Sequence, residues 1–164
     1  MARIDYLTGA INSRFFYELA QMEIDRFQRY KHPFTLTYID LDNFKTVNDQ
    51  LGHSIGDQVL RKVISSVKKN LRRTDVVARL GGDEFVLLLP ETDQESAFVV
   101  INKIRNELLE EMRQQNWPIT FSIGVLTCRV APNTIDELIK MADDLMYSVK
   151  HDGKNAVKYF TCAA

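Results

Sequence analysis

Cysteine is nearly absent from this chain, and the two that occur, Cys128 and Cys162, are too few to frame a fold with disulfides. Two free thiols in a reducing compartment are expected, Cys128 in a strand and Cys162 in the tail. No apolar run approaches the length that crosses a bilayer, and no leader of basic and apolar residues opens the sequence. A soluble, cytoplasmic domain is expected, with any membrane anchor left to a larger parent protein. Neither sign of charge dominates: 21 Lys and Arg stand against 22 Asp and Glu, a net charge of −1. That balance gives no electrostatic case for duplex nucleic acid as a partner. Repeats, low-complexity tracts and internal linkers are also missing. The 164 residues, 45% of them hydrophobic, suit one domain spanning 1–164 with an ordinary core.

What is present alternates between helical and strand patterns. Residues 12–30 read as a helix capped by Asn12, with Phe15, Leu19, Met22 and Phe27 as core contacts. Residues 34–41 read as a strand. One or two helices follow, with Val59, Leu60, Val63, Ile64, Val67 and Leu71 at helical spacing. Residues 75–80 and 84–90 form a hairpin. Thr92-Asp93-Gln94-Glu95 is a capping-box pattern opening a helix that carries Ala97, Ile101, Ile104, Leu108 and Met112. A strand spans 118–128. A second box, Thr134-Ile135-Asp136-Glu137, opens a helix that runs to about Lys150, and 155–160 is the last strand. Such alternation with one hairpin implies an α+β sandwich, helices on an antiparallel-rich sheet.

The chemistry concentrates in the hairpin Arg79-Leu80-Gly81-Gly82-Asp83-Glu84-Phe85. Gly81 and Gly82 permit a tight turn, and the apolar run after Glu84 anchors it. Carboxylates beside glycines suit a divalent cation near phosphate, because oxygen ligands suit Mg²⁺ and bare backbone allows close approach. The other reading is a Gly-Gly hairpin with a solvated acidic tip. A second acidic site ends the strand at residues 34–41, as Asp40-Leu41-Asp42. Asn43-Phe44-Lys45, Val47-Asn48-Asp49, Gly52-His53 and Gly56-Asp57 follow it. Acid at a strand end before a helix start is again metal and phosphate geometry. The two acidic sites meet if their strands are neighbours.

With these motifs in this order, from Asp5-Tyr6-Leu7-Thr8-Gly9 to the run Tyr147–Asn155, the chain resembles a GGDEF domain, the diguanylate cyclase family, over almost its whole length. The resemblance implies a ferredoxin-like sheet of the nucleotidyl-cyclase and polymerase-palm type, flanked by helices, with the motif on a β-hairpin. It implies condensation of two GTP into cyclic di-GMP and two pyrophosphates between two facing copies of the domain. Two Mg²⁺ (or Mn²⁺) ions per half-site are implied, on Asp40, the carbonyl of Leu41, Asp83 and Glu84. Glu84 is either a ligand or a group that helps deprotonate the 3′-hydroxyl. Asp42 reads instead as a cap for the next helix. Phosphates would lie on the N–H groups of Asn43, Phe44 and Lys45, with Lys150 and Lys154 as point charges. Many relatives carry Arg where this chain has Lys154. Both lysines also fit a favourable helix C-terminus and an exposed loop.

Asn48 and Asp57 would read guanine. A carboxylate accepts from both N1–H and the N2 amino group, which adenine lacks. Asp57 also fits a capping box with Ser54, and His53 reads equally as packing or as part of the substrate site. Arg72 and Asp75 match the family's Arg-x-x-Asp inhibitory site for cyclic di-GMP; a charged turn is the alternative. Ser13, where Arg is usual, and Ala10, where a larger apolar residue is usual, depart from the pattern away from the metal site. Few residues precede Asp5, so an excised domain is expected, monomeric or weakly dimeric. A catalytically silent sensor of GTP or cyclic di-GMP is the competing function. A single-substrate nucleotidyl cyclase is a third, disfavoured by Asn48, Asp57 and the product-site pattern.

Overall fold

The computed structural model describes residues 2–130 and 132–163. Its elements run β1 (Ile11–Asn12), α1 (Ser13–Tyr30), β2 (Phe34–Asp42), α2 (Phe44–Leu51), α3 (His53–Lys68), β3 (Val76–Gly81), β4 (Glu84–Leu89), α4 (Gln94–Gln114), β5 (Thr120–Cys128), α5 (Ile135–His151) and β6 (Ala156–Cys162). The strand order is β1-β3-β4-β2-β5-β6. β2 lies between β4 and β5 and is antiparallel to both. β1 and β6 join the edges in parallel. Taken alone, β2 to β5 lie in the order β3-β4-β2-β5, with α3 and α4 crossing the same face. That is the ferredoxin-like α+β sheet expected from the sequence, and α1 and α5 cover its other face. β1 was not foreseen, because two residues carry no periodicity.

β2 is buried along its whole length. Its alternation sends Phe34, Leu36 and Tyr38 to the α1–α5 side and Ile39 and Leu41 to the α2–α4 side. The core face of α1 differs from the sequence reading. Phe16, Ala20, Ile24 and Phe27 are buried, whereas Phe15 and Leu19 are half-buried and Met22 is 64% exposed. The spacing of Phe16, Ala20, Ile24 and Phe27 makes one stripe, and Phe15 lies about 100° round the helix from it. Asn12 caps α1 as expected, accepting from the Phe15 amide at 2.9 Å. Asp93, not Thr92, caps α4; the Thr92 hydroxyl donates to the Pro90 carbonyl instead, at 2.8 Å. Thr134 caps α5, accepting from the Glu137 amide at 3.1 Å.

Cys162 lies in β6, opposite Cys128, and not in a loose tail. Both thiols are free. Burial, with Cys162 beside it, pushes the Cys128 thiol up to about 12.

Gly124 on β5 decides how closely α5 approaches the sheet. A Cβ there would lie 2.5 Å from the Met146 amide nitrogen and 2.7 Å from the Ala142 carbonyl oxygen. Backbone cannot give way as a side-chain tip can. Gly124→Ala is therefore expected to cost about 2–3 kcal/mol by overpacking, read as a fall in Tm. An unchanged Tm would mean that α5 does not rest on the bare backbone of β5.

Candidate active site

The two acidic sites converge because β2 and β4 are neighbours. Asp40 and Glu84 are register partners across that ladder, and the Leu41 amide donates to the Asp83 carbonyl at 3.2 Å. The turn that carries Asp83 is thereby stitched to the end of β2. Asp40 is 8% exposed, and its Oδ1 is buried with no hydrogen-bond partner. Burial first, then the charge of Asp83 and less strongly that of Glu84, push the Asp40 carboxyl up to about 7 against the opposing pull of Lys150. Glu84 is also raised, by burial and by the charges of Asp143 and Asp83, although Tyr38 donates to it. This is an anionic cluster short of positive charge, with an oxygen that no protein donor reaches. Hard carboxylate and carbonyl oxygens are what Mg²⁺ or Mn²⁺ takes, so the residues fit such a cation. Among the described residues, no three His, Cys, Asp or Glu side chains converge tightly enough to enclose an ion by themselves.

The glycines work differently from the sequence reading. Neither Gly81 nor Gly82 adopts a positive φ. Arg79 closes the turn instead: its guanidinium donates to the Gly82 carbonyl at 2.9 Å and to the Gly81 carbonyl at 3.2 Å, and it pairs with Asp5 at 3.3 Å. A Cβ on Gly82 would meet nothing within 4 Å, and one on Gly81 would meet only the Glu84 carboxylate, at 3.2 Å. The two glycines leave bare backbone beside the carboxylates. The Arg79–Asp5 link was not singled out in the sequence; its only signal was an Arg two residues before the Gly-Gly pair.

Asn43 takes a left-handed conformation, φ 68°, and α2 begins at Phe44 with no side-chain cap. The first amides of α2, at Phe44 and Lys45, are thus not claimed by a capping side chain. Asp42 does not cap this helix, contrary to expectation. It is fully buried and accepts from Thr120 and Ser122 at 2.7 Å, the Asn155 amide at 3.1 Å and Lys150 at 3.3 Å. Burial raises its pKa, but these donors outweigh burial and hold the carboxyl below the usual range. Lys150 lies between the two strand-end acids, 3.2 Å from Asp40 and 3.3 Å from Asp42. Lys154 is exposed in a left-handed turn, φ 65°, with its amide bonded to the Val149 carbonyl. Nothing draws its side chain to the acidic cluster.

Asn48 on α2 faces Gly56 on α3. A Cβ at Gly56 would lie 1.8 Å from the Asn48 Oδ1, an atom that is buried and unpartnered. Asp57 follows, half-buried, and makes no capping bond: α3 opens at His53 behind Gly52, φ 94°, without a side-chain cap. His53 is exposed and is not a packing residue. Gly56→Ala is expected to keep the fold, since Ala favours a helix and the Asn48 amide can swing away. A Tm within a few degrees of the unmodified chain is expected; a large fall would mean that the Asn48 side chain is locked against Gly56.

Across residues 2–156, the chain matches the family model described as diguanylate cyclase, GGDEF domain. The chain belongs to the GGDEF domain family. Diguanylate cyclase DgcM of Escherichia coli (strain K12) is 37% identical over 156 residues, which cover 95% of this chain and 38% of that protein. The uncharacterized protein YhcK of Bacillus subtilis (strain 168) is 35% identical, over 95% of this chain and 45% of its own length. The GGDEF domain thus spans less than half of these curated relatives. Among solved structures, the GGDEF domain of DgcB from Caulobacter crescentus, in complex with c-di-GMP, superposes with a TM-score of 0.88. It is 28% identical, over 97% of this chain and 96% of that one.

At the far end of β3 from the hairpin, Arg72 and Asp75 grip one another. The Arg72 Nη2 donates to Asp75 Oδ1 at 2.9 Å, and its Nε and backbone amide donate to Oδ2. The same Nη2 reaches the Pro90 carbonyl at 2.7 Å and the Thr92 hydroxyl at 2.9 Å. The pair borders a cavity of about 270 Å³ that Asn70, Leu89, Glu91 and Val100 also line.

Proposed function

We propose that this domain is one half of a diguanylate cyclase. Two copies face each other, each holding one GTP. The 3′-hydroxyl oxygen of one nucleotide attacks the α-phosphorus of the other, a P–O bond forms, the bond to pyrophosphate breaks, and the hydroxyl proton leaves. The same step in the opposite sense closes the ring and releases the second pyrophosphate. The observation that carries this reading is the buried, unpartnered Oδ1 of Asp40 beside Asp83 and Glu84.

Asp40, the Leu41 carbonyl, Asp83 and Glu84 would hold divalent cations, which offset phosphate charge and favour loss of the 3′-hydroxyl proton. The amides of Asn43, Phe44 and Lys45 receive phosphate oxygens at the start of α2. Lys150 moves its charge from Asp40 toward phosphate, and Lys154 adds a second point charge. Asn48 and Asp57 read the guanine edge, with His53 at the rim of the same pocket. Gly81 and Gly82 let the triphosphate lie against backbone. Arg72 and Asp75 take cyclic di-GMP as an inhibitor, after their mutual clasp opens toward the ligand.

The test is to incubate the purified chain with GTP and Mg²⁺ over a range of protein concentrations and to separate the nucleotides by chromatography. Cyclic di-GMP, formed at a rate that rises faster than linearly with protein, is expected. An upstream coiled coil that forces pairing should raise the rate sharply. No product after forced pairing, with nucleotide still bound, would replace this reading with a silent sensor.

A further inference from the structure

Asp42 lies two residues from Asp40 and differs from it in every respect that matters to a ligand. Its Oδ1 accepts from the Ser122 hydroxyl at 2.7 Å and from Lys150 at 3.3 Å. Its Oδ2 accepts from the Thr120 hydroxyl at 2.7 Å and from the Asn155 amide at 3.1 Å. Both oxygens are occupied twice, so no lone pair is left for a cation or a nucleotide. Of the four donors, two come from β5, one from the last turn of α5 and one from the turn that follows it. Within that turn the Lys154 amide also donates to the Val149 carbonyl at 2.9 Å. Gly153, Lys154 and Asn155 all have positive φ, at 118°, 65° and 50°, conformations that cost energy for the two non-glycine residues. Arg105 clamps it from outside, donating to the Asn155 carbonyl and side chain.

We propose that Asp42 is a positioning residue for nucleotide binding: it sets the Lys150 ammonium at the phosphate side of the site. This inference rests on the GTP site proposed above. The carboxylate shares Lys150 with Asp40, so the ammonium is held between the strand-end acids and is not drawn wholly onto Asp40. A buried charge fixed by two hydroxyls and an amide cannot follow the lysine when it swings; it works as a fixed post.

The test measures binding of 3′-deoxy-GTP, which lacks the attacking hydroxyl, with Mg²⁺ by calorimetry. The proteins are the unmodified chain, Asp42→Asn, Lys150→Ala and the double variant. Asp42→Asn is expected to weaken binding at least about tenfold, the scale of a charge-assisted contact. The double variant should bind within about twofold of Lys150→Ala alone, because one residue acts through the other. A role in packing alone would lower Tm without producing that non-additivity. If Asp42→Asn does not fold, Thr120→Val with Ser122→Ala keeps the carboxylate and frees it to turn; weakened binding by a few-fold is expected there. Affinity within about twofold of the unmodified chain in a folded Asp42→Asn or in the hydroxyl variant overturns the proposal, as do losses that multiply in the double variant. Binding by the unmodified chain that Lys150→Ala leaves intact also overturns it, while leaving the GTP site standing. No binding by the unmodified chain removes both.

Discussion

Asp40→Asn is expected to abolish cyclic di-GMP formation and, in the same variant, to raise the stability of the protein kept free of divalent cation. The first effect follows from losing a proposed cation ligand, whose contribution to the transition state would be several kcal/mol, about a thousandfold in rate. The second follows from the site's electrostatics. Burial, and the charge of Asp83 beside it, push the folded carboxyl from its ordinary value of 3.8 up to about 7. Between these values the folded chain holds a proton that the unfolded chain has given up. The contribution of this group to stability therefore falls as pH rises through that window, and it stays lost above it. Asn carries no charge to bury, and Lys150 keeps Asp42 as its partner. A gain on the order of 1–3 kcal/mol at pH 8, shrinking to nothing near pH 4, is the expected result. Thermal melts in chelator at the two pH values, beside nucleotide chromatography, measure both. Turnover within tenfold of the unmodified chain would remove Asp40 from the cation site, and a lower Tm at pH 8 would contradict its being an unsatisfied charge.

Arg72→Ala is expected to relieve product inhibition by at least about tenfold, the loss of one or more charge-assisted hydrogen bonds. Initial rates without product should stay within about twofold, because Arg72 precedes β3 and the proposed catalytic carboxylates lie past its other end. The clasp adds a consequence that the sequence did not suggest. Arg72 also holds the Pro90 carbonyl and the Thr92 hydroxyl, so its removal should cost about 1 kcal/mol of stability. Progress curves with added cyclic di-GMP decide the matter; unchanged inhibition would leave Arg72 and Asp75 as a charged turn and nothing more.

The long periodic segments were legible in the sequence. Every apolar residue assigned to α4, from Ala97 to Met112, is buried, and the hairpin lies where its glycines put it. Asp40, Asp83 and Glu84 could be paired on paper because strand ends are easy to mark. What could not be read is how polar groups choose between partners. Asp42 looked like a cap because capping is local, but its four donors lie some eighty to more than a hundred residues away in sequence. Thr92 lost the cap of α4 to Asp93 for a nearer reason, having already spent its hydroxyl on the Pro90 carbonyl two residues back. The turn was credited to glycine conformation, whereas a guanidinium two residues upstream closes it. At Asp42 tertiary contacts overrode a local preference, whereas at Thr92 and at the turn a second local contact, two or three residues away, won over the first.

The position of β2, hydrogen-bonded on both sides and covered on both faces, divides the proposed cation site by lifetime. Amides in such a strand exchange with solvent only when the whole domain opens, whereas a two-residue turn can open by itself. Asp40 and the Leu41 carbonyl therefore persist for as long as the fold does. Asp83 sits on the turn and is tied to β2 by the Leu41 amide bond. The site joins a permanent half to a half that can come and go on a faster clock, and whether both are present at once is a matter of that one turn.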